Sequence, residues 1–206
     1  MKRRSLIALL AAAPLPGMAQ ESVPVNAPSL LAAPAALALL REGGLNLYMR
    51  HAITDRSQAD SGRRGERAGQ RNLSAAGEVQ ASALGAAFRT LGLPLGEVLT
   101  SEVFRAQDTA KLAFGEARIH PALIADDYTA RDPRVDAAEV SALLAQPPAG
   151  GNRVLVGHIV PLGLILGRSL TQTDFPEGSL ALFRPEAGRW RFLGVVTAQE
   201  IIEAAS

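Results

Sequence analysis

Two short runs constrain this chain most. Residues 45–49 (LNLYM) and 153–157 (RVLVG) are dominated by large apolar side chains, and each delivers a histidine: His51 just after Arg50, and His158 directly. Runs of this length without regular polar alternation mark strands buried on both faces. Such strands need helices above and below them. The segments between supply helical patterns, so the alternation predicts an α/β fold: a three-layer α/β/α domain with a mostly parallel central sheet. In such sheets ligands bind outside the carboxyl ends of the strands. Both histidines fall there.

The remaining elements follow from local signals. Pro34 opens a helix over 34–41, stopped by Gly43 and Gly44. Ser74 caps a helix over 75–91 whose apolar face carries Leu84, Ala87, Phe88 and Leu91, and Gly92 and Pro94 end it. A short strand over 97–100 leads to Ser101, and a helix over 103–114 ends at Gly115. A further short strand is expected over 117–120, and helices over 135–145 and from His158 to about Arg168. Strands over 179–184 and 190–196 form a hairpin, and Thr197 caps a last helix. Residues 52–72 are polar and lack periodicity, and a loop of that length is generally functional or disordered.

Residues 1–19 (MKRRSLIALLAAAPLPGMA) read as a secretory signal. Lys2, Arg3 and Arg4 precede a short apolar stretch, and Gly17, Met18 and Ala19 form the cleavage region. The stretch is too short to cross a bilayer, which takes about 20 residues. Arg3 and Arg4 also fit a twin-arginine pattern. The expected organisation is a signal peptide at 1–19 and a single domain at 20–206, exported to a periplasm or secreted, with no membrane span after cleavage. Removing the three cations takes the formal charge from +1 to −2. That charge, with 4% aromatic residues, gives nucleic-acid binding no support. The absence of cysteine excludes disulfides, thiolate nucleophiles and Cys-based metal sites.

Four stretches, in order, resemble the histidine phosphatase superfamily, whose best-known branch is the phosphoglycerate mutase-like proteins. Leu47–Ala52 (LYMRHA) is similar to the family's Arg-His-Gly motif. Asn72–Gly77 (NLSAAG) is similar to its "LSxxG" helix start. Ser101–Ala110 (SEVFRAQDTA) resembles its "S…R…TA" segment, and Val154–His158 (VLVGH) its "VxGH" strand. The resemblance implies a phosphoglycerate mutase-like fold and transfer of a phosphoryl group to His51, with Arg50, Arg105 and a protonated His158 holding the phosphate. Neutral imidazole is a competent nucleophile near pH 7, and guanidinium groups match phosphate oxygens in plane. The implied activity is phosphomonoester hydrolysis without metal or cofactor, on a small-molecule or envelope phosphomonoester.

The family's acid is less legible. Where one branch places it directly after the second histidine, this chain has Ile159. Asp127 is the preferred proton donor, with Asp126 and Glu102 as alternatives. Ala52 replaces the glycine usual after the nucleophile, and Ser57 or Gln58 stands where a phosphate-touching Asn is common. Arg71 is either a further phosphate or substrate contact or an exposed loop residue, and His120 is read as structural or exposed. Two other readings stay open. One is a phosphate-binding module of the same fold without turnover. The other is a metallohydrolase built on His51, His158 and Asp127.

Overall fold

The computed structural model describes residues 29–206, so the expected signal segment lies outside the described residues. The elements run α1 (Ala33–Glu42), β1 (Asn46–Arg50), α2 (Ala75–Thr90), β2 (Leu95–Thr100), α3 (Phe104–Phe114), β3 (Arg118–Ile119), a 3-10 turn (Pro121–Leu123), α4 (Pro133–Leu144), β4 (Asn152–Gly157), α5 (Ile159–Ile165), β5 (Leu180–Glu186), β6 (Arg189–Val196) and α6 (Ala198–Glu203). The strands form one six-stranded sheet in the order β3-β2-β4-β1-β5-β6. β3, β2, β4 and β1 are parallel, and β5 joins β1 antiparallel with β6 antiparallel to it.

The buried runs divide their side chains by the two-residue period of a strand. Leu47, Met49, Val154 and Val156 pack on one face with α1, α2, α3 and α6. Tyr48 and Leu155 pack on the other with α4, α5 and the 3-10 turn. The result is the three-layer α/β/α architecture. At the amino end of the sheet two buried asparagines complete the backbone pairing. Asn152 accepts from Leu45 N–H and donates to Leu40 O, while Asn46 donates to Leu144 O and Gln146 O. Among the described residues no helix is long and apolar enough to cross a membrane.

Local chemistry explains most boundaries. Ser74 accepts from Gly77 N–H at 3.1 Å, and Thr197 and Glu200 form a reciprocal capping box. α5 stops at Ile165, short of the expected Arg168, because Gly167 turns left-handed (φ 68°) and Arg168 N–H closes back on Gly163 O. Glu186 pairs with Arg189, so the β5–β6 turn is only Ala187 and Gly188, both at positive φ (39° and 83°). That is the type I′ geometry, which favours Asn-Gly.

The 52–72 loop closes on itself at its base. Thr54 bridges Leu73, Asp55 N–H reaches Asn72 O, and Ser74 N–H reaches Ile53 O. Gly77 makes this approach feasible, since a Cβ there would lie 1.9 Å from Ile53 O.

Candidate active site

The pairing of β1 with β4 sets Arg50 opposite Gly157, so the next residue of each strand, His51 and His158, emerges side by side. Their rings lie 5.4 Å apart at 55°. His51 is held at both backbone groups, its N–H on Gly157 O (3.1 Å) and its carbonyl accepting from Gly178 N–H (2.9 Å). Its ring Nδ1 lies 2.9 Å from Ala52 O. A carbonyl only accepts, so Nδ1 carries the proton and Nε2 keeps its lone pair. Burial drives the imidazole well below its ordinary pKa, and Arg105, Arg50 and Arg71 push the same way against the Ala52 bond. His51 is therefore neutral and of one tautomer.

The surroundings of His158 oppose the positive charge that the resemblance implies for it. Burial lowers its pKa first, then Arg105, His51, Arg50 and Arg71. Its Nε2 lies 3.0 Å from Ser101 Oγ, which also accepts from Val103 N–H. The Ser101 hydroxyl has no other acceptor, so it donates to Nε2 and the His158 proton sits on Nδ1. That nitrogen is buried without a partner. Tyr48 fixes the His158 backbone: its phenol donates to His158 O (2.9 Å) and accepts from His158 N–H (3.0 Å). Gly157 makes room for it, because a Cβ would stand 2.4 Å from the phenol oxygen.

Both arginines join the histidines. Arg50 is 2% exposed and donates from Nη1 to Phe175 O at 2.7 Å, with Nη2 3.8 Å from Glu177. Burial lowers its pKa to about 10, Glu177 opposes that shift, and Arg56, Arg71 and Arg105 add to it, so the group stays cationic at neutral pH. Arg105 donates from Nη1 to Asp60 at 2.9 Å and to Arg71 O at 3.4 Å. Nε of Arg50, Arg105 and Arg71 is buried without a partner.

Other expected residues fall differently. Asp127 lies on an exposed turn, where burial of its carboxyl raises its pKa, Asp60 and Asp126 add to the rise, and Arg105 opposes it. It therefore shares the electrostatic field of the arginine cluster. Glu102 is taken up by an ion pair with Arg64. Ser57 and Gln58 both bind Asp55, and Gln58 also accepts from Asn72, so they brace the loop. His120 is half-buried ahead of the 3-10 turn. Ala52 has an ordinary backbone angle and donates its N–H to Thr109 Oγ1, whose hydroxyl bonds Arg105 O. The methyl in place of glycine is thus accommodated in a small apolar cluster with Leu73 and Ala81. Ile159 packs toward the α4–α5 core. Among the described residues no group of three or more His, Cys, Asp or Glu is placed to hold a metal ion.

Two acidic residues at the site lacked any sequence signal. Glu177 accepts from Thr54 Oγ1 (2.8 Å) and Arg56 (3.2 Å) beside Arg50. Asp60, which in the sequence only dilutes an Arg-rich loop, accepts from Arg105, Tyr128 and Arg71 N–H.

This fold is phosphoglycerate mutase-like. Residues 47–127 match the family model of the histidine phosphatase superfamily (branch 1). The protein histidine phosphatase SixA, solved with tungstate, is 16% identical over 76% of this chain and 99% of its own, with a TM-score of 0.55. Phosphoglycerate mutase from Bacillus anthracis is 13% identical over 81% and 99%, with a TM-score of 0.56. Phosphoserine phosphatase from Entamoeba histolytica, in complex with 3-phosphoglyceric acid, is 14% identical over 76% and 98%, with a TM-score of 0.55. No curated protein matches the sequence closely enough to establish a relationship.

Proposed function

We propose that the protein is a metal-independent phosphomonoester hydrolase of the histidine phosphatase superfamily, exported through its residues 1–19. The observation that carries this reading is the His51 tautomer: Nδ1–H is fixed on Ala52 O, and Nε2 is an unprotonated nucleophile among buried, unpartnered N–H donors. The tungstate bound by SixA, a tetrahedral oxyanion, supports a phosphate-sized ligand for this fold. Arg50 and Arg105 supply two fixed positive charges against a phosphomonoester charge of roughly −1.5 to −2. His158 adds a buried Nδ1 with no partner in the protein.

In the first step Nε2 of His51 attacks phosphorus in line with the ester oxygen. The P–O bond breaks as the N–P bond forms, and the leaving oxygen takes a proton from Asp127, the carboxyl on the turn that Tyr128 ties to the Asp60–Arg105 pair. In the second step water attacks phosphorus and gives its proton to the Asp127 carboxylate. The N–P bond breaks, orthophosphate leaves and neutral His51 returns. Fixed dipoles and charges that need no reorganisation stabilise both displacements.

The test is hydrolysis of p-nitrophenyl phosphate by the purified chain. His51→Ala reduces turnover to background with an unchanged fold, and acid-labile, alkali-stable phosphate is trapped on the wild-type protein. Activity in His51→Ala equal to wild type refutes the reading. Tight vanadate binding without turnover of any phosphomonoester identifies a binding module instead.

A further inference from the structure

We propose that Asp60 is a positioning residue that holds Arg105 at the phosphoryl site and fastens the 52–72 loop over it. This rests on the reading of Arg105 as a phosphate-binding group. Three donors from three parts of the chain converge on one oxygen, Oδ1 of Asp60. They are Arg105 Nη1 from α3 (2.9 Å), the Tyr128 phenol from the turn that carries Asp127 (2.6 Å) and Arg71 N–H from the far limb of the loop (2.9 Å). The pair is shielded from water, with side-chain exposures of 13% for Asp60 and 4% for Arg105. Burial works against the charge on Asp60, but its three donors hold the carboxyl below its ordinary pKa.

The geometry explains what a long guanidinium stem needs. Arg105 lies at the start of α3 and reaches the site on a side chain with several free torsions. A phosphate ligand binds well only if that freedom is removed beforehand. Asp60 removes it by taking Nη1, while Nε stays unpartnered. Tyr128 couples the same oxygen to the turn bearing Asp127, so one carboxylate sets the spacing between the cation and the proton donor. Outer contacts tie the same loop to α3: Arg64 with Glu102, Arg67 with Asp108, and Gln70 Oε1 accepting Phe104 N–H at 3.1 Å. Asp60 is the loop's shorter tie to the Arg105 guanidinium, at 2.9 Å against 3.4 Å for Arg71 O.

Asp60→Asn and Asp60→Ala separate the acceptor from the charge. Oδ2 has no partner, so the amide nitrogen of Asn can replace it while Oδ1 still accepts. Two readouts are measured: p-nitrophenyl phosphate kinetics with orthophosphate as competitive inhibitor, and the Arg105 Nε–H resonance, identified by its loss in Arg105→Lys. The expected result is a kcat at least about tenfold lower in Asp60→Ala and mostly restored in Asp60→Asn. The orthophosphate inhibition constant rises in Asp60→Ala, where Arg105 regains its freedom, and stays near the wild-type value in Asp60→Asn. The resonance stays dispersed in wild type and Asp60→Asn and merges with exposed arginines in Asp60→Ala. An Asp60→Ala protein with wild-type kcat and an unmoved resonance overturns the proposal. So do equal losses in the two variants, or a parallel rise of KM and inhibition constant at unchanged kcat. A wild-type protein without turnover refutes the functional reading, and the resonance then decides the role of Asp60 by itself.

Discussion

Tyr48→Phe removes one oxygen from the centre of the molecule. The Tyr48 side chain is wholly buried, and its phenol serves both backbone groups of His158. Phenylalanine fits the same space beside Phe175 and Gly157, so no cavity of consequence opens. The two backbone groups fare differently. The His158 carbonyl is the cap of α5 and keeps its place in the first helical turn, so losing the phenol costs it about 1 kcal/mol. The His158 N–H is left without an acceptor in dry surroundings, which costs about 1–3 kcal/mol. Together the substitution destabilises the fold by about 2–4 kcal/mol. Urea unfolding reads this as a lower midpoint at unchanged slope. The same substitution unpins the backbone that carries the second histidine, so kcat/KM for an aryl phosphate falls by about 10- to 100-fold. A Tyr48→Phe protein within about 0.5 kcal/mol of wild type, a range typical of inconsequential surface changes, refutes this account of how His158 is held.

Acid should weaken the fold through the two site histidines. Both are depressed when folded, so below about pH 6.5 the unfolded chain binds protons that the native state does not. Stability is full above that pH and falls below it by up to about 1.4 kcal/mol per pH unit per histidine, until the folded pKa is reached. Urea midpoints at pH 7.5, 6.5 and 5.5 should show this slope in wild type and a shallower one in His51→Gln/His158→Gln, and equal slopes contradict it. In the β5–β6 turn, Ala187→Asn relieves a left-handed alanine and should raise stability by about 0.5–1 kcal/mol, seen as a higher urea midpoint with unaltered kinetics.

The sequence made the framework legible where one segment determined its own structure. Both histidine-bearing strands, the Ser74 and Thr197 caps and the terminal hairpin follow from side-chain type and spacing over fewer than twenty residues. Arg50, His51 and His158 converge because β1 and β4 pair in parallel, and Arg105 joins them from the start of α3, just after β2. The charge state of His158 was not legible, since it depends on burial and on arginines from elsewhere in the chain. The same holds for Asp60 and Glu177. Each is an acidic residue in an aperiodic segment, and each gains its role only from a guanidinium 45 and 127 positions away in sequence. Tyr48 read as one more apolar strand residue, because nothing local announces that its hydroxyl completes the backbone of a strand 110 residues later.

The drawstring base of the 52–72 loop has an evolutionary consequence. Its two ends are knotted to one another at Thr54 and Leu73, so lengthening or shortening the interior changes closure entropy only logarithmically. The loop is in effect an exchangeable cassette. Under the proposed function, descendants of this chain change substrate by rewriting residues 56–70, as long as each replacement brings a carboxylate to grip Arg105.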